Sequence, residues 1–72
     1  MERFALRGDV ITLGQLLKAA GLAGSGGEAK HLLEAGAVRV NGEPEARRGR
    51  KLHAGDVVEV DGAEAPVEVV AP

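Results

Sequence analysis

Arg47, Arg48, Arg50 and Lys51 place four of the chain's nine lysines and arginines within five consecutive positions. Cationic groups set so closely are suited above all to binding phosphate oxygens. The chain as a whole has a formal charge of −2, so this knot is not the overflow of a generally basic protein. Other reactive side chains are few. Thr12 and Ser25 are the only aliphatic hydroxyls, His31 and His53 the only histidines, and cysteine and tyrosine are absent. Neither histidine stands at a spacing that activates a nucleophile or ligates a metal. The sequence therefore points away from an enzyme, and it implies no cofactor and no metal site.

Charge is unevenly spread along the chain. Residues 1–29 balance. Residues 30–53 carry Lys30, Arg39 and the basic knot plus three glutamates, Glu34, Glu43 and Glu45, and are net positive. Residues 54–72 carry Asp56, Glu59, Asp61, Glu64 and Glu68 with no base at all. A basic middle beside an acidic tail fits a polyanion-binding face on an otherwise soluble surface. The alternative is an ordinary mixed surface, in which the knot is solvated or pairs with Glu43, Glu45 and the tail of its own chain.

Two helices must position these groups, and each announces its own start. Thr12 with Gln15 three residues on forms a capping box, followed by Leu13, Leu16, Leu17 and Ala20 at helical spacing and a stop at Gly21. Ser25 with Glu28 repeats the pattern, with Ala29, Leu32 and Leu33 on one face and Gly36 as the end. Lys30, His31 and Glu34 fall away from that apolar stripe. Helices this short need something to pack on. The segment "VRVNG" alternates Val38 and Val40 inward with Arg39 outward, and Asn41-Gly42 is a strong hairpin signal. Further strands are expected over Val57 to Val60 and Val67 to Val70, with an edge strand near the start that turns Phe4 and Leu6 inward. The expected fold class is α+β, two short helices packed on a small antiparallel sheet. Residues 43–53, which hold the knot, form the longest stretch without a pattern.

This arrangement would bring separate cations together. Lys30 and His31 project from the second helix, Arg39 from the first strand of the hairpin, and residues 47–51 return close to that strand. The expected result is a concave basic surface formed by Lys30, Arg39, Arg47, Arg48, Arg50 and Lys51, with Lys18 and His31 at its rim. The glycines of "GLAGSGGEAK" lack the spacing of a mononucleotide loop. Gly26 and Gly27 do open the second helix, where free N–H groups suit one phosphate, although they equally serve to loosen a turn. Phe4 is the sole aromatic, so there is no platform on which to stack unpaired bases. Backbone and shape, as in folded or duplex RNA, are what such a surface would read.

Ser25, Ala29, Leu32, Leu33, Gly36, Val38, Val40, Asn41 and Gly42 together resemble the RNA-binding domain named after small-subunit ribosomal protein S-four. Leu52, Gly55, Asp56, Val58 and Val60 continue the pattern, and "LGQLLKAAGL" is similar to that family's first helix. The resemblance covers residues 10–61 of a chain expected to be one domain over 1–72. It implies a helix-helix-hairpin motif gripping structured RNA, ribosomal or transfer RNA, in translation or ribosome assembly. It also implies contacts from Lys30, Arg39 and residues 47–51. The family usually carries arginine directly after the serine of the second helix; here that position is Gly26.

Small sulfur carriers share "VNG" and the later glycine-aspartate-valine pattern, but they need a C-terminal Gly-Gly where this chain ends Val70-Ala71-Pro72. A protein-interaction adaptor that uses the basic face on an acidic partner is a third reading. The opening "MERFALRGDVITL" has no apolar stretch long enough for a signal peptide, and nothing approaches a membrane span. A cytoplasmic monomer is expected.

Overall fold

A computed structural model describes residues 1–72. Nine elements follow in order: β1 (Glu2–Ala5), β2 (Ile11–Thr12), α1 (Leu13–Ala19), α2 (Gly26–Glu34), β3 (Val38–Val40), β4 (Glu43–Pro44), β5 (Lys51–Leu52), β6 (Val57–Val60) and β7 (Val67–Val70). Two helices against a small sheet make this the α+β class that the patterning implies.

Both helices begin where their caps predict. Thr12 Oγ1 accepts from Gln15 N at 3.3 Å, and Gln15 Oε1 accepts from Thr12 N at 3.1 Å. At α2 only the serine half of the box forms: Ser25 Oγ accepts from Glu28 N at 3.1 Å, while the Glu28 carboxylate lies over Gly24 instead. Leu13, Leu16 and Leu17 of α1 and Ala29 and Leu33 of α2 are buried, with Leu32 packed at the core's edge.

The main sheet has five strands in the order β1-β7-β6-β3-β4. Its β3–β4, β3–β6 and β6–β7 pairings are antiparallel, but β1 lies parallel to β7, with Phe4 opposite Val69. The sheet is therefore mixed rather than wholly antiparallel. Parallel neighbours need a long crossover, and here the helices and hairpin between the two ends supply it. Within residues 43–53 the chain is more ordered than its composition suggests. It contributes β4 to the main sheet, and β5 pairs antiparallel with β2 in a separate two-stranded ladder.

Asn41 and Gly42 turn β3 into β4 with φ of 53° and 83°, the left-handed pair that a tight hairpin needs. The Asn41 side chain then ties the turn to the start of β6. Its Oδ1 accepts from Val57 N at 2.9 Å and its Nδ2 donates to Asp56 Oδ1 at 3.0 Å. Asp56 Oδ2 in turn accepts from His53 N at 2.8 Å. Burial pushes the Asp56 carboxyl up, but these hydrogen bonds outweigh it and hold it below the usual range.

Val38, Val40, Val58 and Val69 of the sheet meet the leucines of both helices, and Leu6, Ala23 and Leu52 close the cluster. Leu52 is fully buried and is the apolar anchor of the segment that follows the basic knot. Replacing Leu52 with Ala is expected to cost about 2–5 kcal/mol, a large share of the ~5–15 kcal/mol typical of a whole domain. Urea denaturation checks this: a midpoint equal to the parent's would mean that Leu52 does not anchor the segment.

Candidate functional site

Glu45 organises the basic loop. Its carboxylate accepts from Ala46 N and Arg47 N, both at 3.1 Å, from Arg47 Nε at 3.2 Å and Nη2 at 3.1 Å, and from Arg50 Nη1 at 3.1 Å. Its side chain is only 9% exposed, whereas that of Arg47 is 75% exposed. Five donors around one carboxylate fold residues 45–50 into a tight loop. The Arg47 side chain above all, then its backbone N–H and the Arg50 guanidinium, pull the Glu45 pKa from 4.5 down to about 2 against the opposing effect of burial.

The loop docks on the start of α1 through its own carbonyls. Leu13 N donates to Arg50 O at 2.8 Å and Gly14 N donates to Arg48 O at 2.9 Å. With Gln15 N held by Thr12 Oγ1, the first three N–H groups of α1 all have partners. Those donors are normally orphaned at a helix start. The Arg48 side chain then runs across α1 directly over Gly14.

Arg48 lines two clefts, one on each side of it. One, of about 140 Å³, is shared with Gln15 and Lys18 of α1 and Gly26 and Ala29 of α2. The other, of about 220 Å³, is shared with Lys30, Glu34 and Ala46. Lys18, Lys30 and Arg48 thus gather along the seam between the helices and the loop, and none of the three is engaged in an ion pair. Lys51 stands exposed on β5, opposite Thr12 in register, and His31 is exposed on α2 beside Lys30.

Arg39 is not part of this gathering. Val38 and Val40 are in the core, so strand alternation turns Arg39 to the sheet face away from the helices. There it lies opposite Glu59 in register and bonds Asp61 Oδ1 through Nη2 at 2.7 Å. The expected single hollow of six cations therefore divides. Lys30 and Arg48 share the seam, Arg47 and Arg50 hold Glu45, Lys51 stands on β5, and Arg39 sits on the other face. The self-pairing reading of the knot holds for Glu45 but not for Glu43, whose side chain makes no ion pair.

Two residues take a larger part in the site than sequence patterning assigns them. Lys18, expected only at the rim, lines a cleft together with Arg48. Gly14 carries the loop, and its only signal is a glycine in the first turn of a well-capped helix, where alanine would serve the helix better. One acid, Glu34, lines the seam itself; three others gather elsewhere. Glu2, Asp61 and Glu64 border a larger cleft of about 480 Å³ at the other end of α1, with Gly21, Leu22 and Val60 among its walls.

A family model described as S4 domain matches residues 4–69. A Bacillus subtilis (strain 168) protein described as a probable ribosome maturation protein, RlbA, is 57% identical over 54 residues, covering 75% of this chain and 76% of that one. The chain belongs to the S4-domain family. The matched span of the S4 domain reaches from within β1 to within β7, so it takes in the parallel pair of strands as well as the helices and the hairpin. No helix of the chain is long and apolar enough to cross a membrane.

Glu45 also gives the loop a pH signature. A carboxyl held at about 2 when folded, against an ordinary 4.5, contributes stability that is complete above pH 4.5 and is lost as pH falls from there towards 2. Glu45→Gln is expected to lower stability at neutral pH and to flatten the acid limb in that window. Denaturation midpoints measured from pH 6 to pH 2 check this, and an unchanged acid limb in the variant contradicts it.

Proposed function

We propose that this protein is a non-catalytic module that binds structured RNA along the seam between α1, α2 and the 45–50 loop, and that it acts in ribosome assembly. The single observation that carries this reading is the convergence of Lys18, Lys30 and Arg48, from three separate elements and free of ion pairs, on two adjoining clefts. Unpaired cations along a groove suit a polyanion whose charges repeat along a backbone. Membership of the S4-domain family supports RNA as that polyanion, and the name of the B. subtilis relative, a probable ribosome maturation protein, supports ribosome assembly as the setting.

The roles divide as follows. Lys18, Lys30 and Arg48 bind phosphates, with Lys51 and the exposed Arg47 extending the contact and His31 at the rim. Arg50 and Glu45 hold the loop in shape. Arg39 is paired with Asp61 on the far face and takes no part. Arg48 supplies in space the cation that the family usually carries at the position of Gly26, since Arg48 and Gly26 line one cleft. The first turn of α2 adds free N–H groups beside them.

Shape and backbone are what this face reads, because no aromatic platform accompanies it and helices of seven and nine residues are short for a major groove. Both aliphatic hydroxyls serve as helix caps, which supports a binding role over nucleophilic catalysis. On this reading the chain works as a cytoplasmic monomer.

Replacing Lys18, Lys30 and Arg48 together with Ala is expected to weaken binding of deproteinised ribosomal RNA. It should also lower the slope of log affinity against log salt by roughly two to three, since each phosphate that a cation neutralises adds about 0.7–0.9. Arg39→Ala should leave both quantities near the parent values. Equal affinity and slope in the triple variant would overturn the reading. Complexes from cells that survive RNase digestion would favour the adaptor alternative, a protein partner on the same face.

A further inference from the structure

We infer that Gly14 is a positioning residue for RNA binding: its missing side chain is the slot that aims Arg48 into the cleft. This rests on the proposed reading of the seam as the RNA site.

Gly14 sits buried in the first turn of α1, where a glycine weakens a helix relative to alanine. Backbone conformation does not require it, because Gly14 is not among the glycines with positive φ. The requirement comes from the loop. A methyl group at this position would overlap Arg48 Cγ and lie 3.2 Å from Arg48 Cδ and 3.4 Å from Arg48 O. Cγ lies near the root of the arginine side chain, so the overlap cannot be relieved by moving the guanidinium alone. Nor is the Arg48 backbone free to retreat, since its carbonyl accepts from Gly14 N at 2.9 Å and the loop around it is closed on Glu45.

With a methyl group in the slot, the stem must swing off α1, and Arg48 no longer lines the cleft as it does beside Lys18 and Gly26. Other glycines near the site carry no such constraint: a Cβ at Gly26 or Gly49 would meet nothing within 4 Å. Gly14 itself touches no phosphate. It acts through Arg48.

The test is a double-variant cycle of Gly14→Ala, Arg48→Ala and both together, read by affinity for deproteinised ribosomal RNA over a salt series and by Tm. Gly14→Ala is expected to weaken affinity as Arg48→Ala does, on the order of tenfold, with the salt slope reduced by about 0.7–0.9, the share of one phosphate. The double variant should bind no more weakly than Arg48→Ala, because the guanidinium is already gone. Its Tm should exceed that of Arg48→Ala, since alanine then meets no stem and only its better helix propensity remains.

Parental affinity and slope for Gly14→Ala, beside a weakened Arg48→Ala, would overturn the positioning role and leave the RNA reading intact. Losses that add in the double variant would overturn it too. Unchanged binding by Arg48→Ala would instead remove the RNA role of the seam, and the positioning role with it. If Gly14→Ala alone does not fold, recovery of folding in the double variant supports the slot, and failure to recover sinks it.

Discussion

The basic loop and the first turn of α1 complete each other, and the seam exists because they do. Leu13 N and Gly14 N need acceptors, and the carbonyls of Arg50 and Arg48 need donors. Each pair satisfies both sides at once. The contact also links the two halves of the chain, because β2 leads directly into α1 and β5 leads directly out of the loop, and the two strands pair. Leu52, fully buried beneath this junction, holds it to the same core as Leu13 and Leu16. Cations on the loop are therefore set by main-chain geometry rather than by side-chain chance.

That arrangement explains why self-pairing of arginines and a free basic surface coexist. Exposed ion pairs contribute little to stability, and the Arg39–Asp61 contact is one of them. Glu45 differs because it is largely shielded and receives five donors, two of them from backbone. It converts Arg47 and Arg50 into struts, which leaves the arginine between them, Arg48, to lie against α1. Like charges crowded into a loop would otherwise drive it open. One carboxylate, placed at the loop's base, neutralises the repulsion and fixes the direction in which the remaining guanidinium points.

Much of this fold is legible in the sequence because it is written in local signals. Thr12 and Ser25 mark the helices, Asn41-Gly42 marks the hairpin, and valine alternation marks β3 and β6. Long-range pairings are not local. Nothing in "ERFA" identifies β7 as its parallel neighbour, and two-residue strands such as β2 and β5 are too short for any period to show. Arg39's face follows from Val38 and Val40 being in the core. The course of the loop does not follow, since either face of β3 is open to a chain leaving the turn. What sends it towards α1 is a pair of hydrogen bonds to Leu13 and Gly14, and backbone donors look alike in every sequence. Glu45 is visible as one of several acids near the knot, but only its burial distinguishes it from Glu43.

The separation of charge between the seam and the cleft that holds Glu2, Asp61 and Glu64 has a consequence for a molecule of formal charge −2. Spread evenly, that charge would push the protein away from any polyanion. Divided into a cationic seam and a cleft bordered by Glu2, Asp61 and Glu64, it makes the protein an electric dipole. The field of a nucleic acid exerts a torque on such a body before the surfaces touch, turning the acidic pole outward during diffusion. Net repulsion at long range then becomes a filter on orientation, one that acts within a Debye length of about 8–10 Å and fades as ions are added.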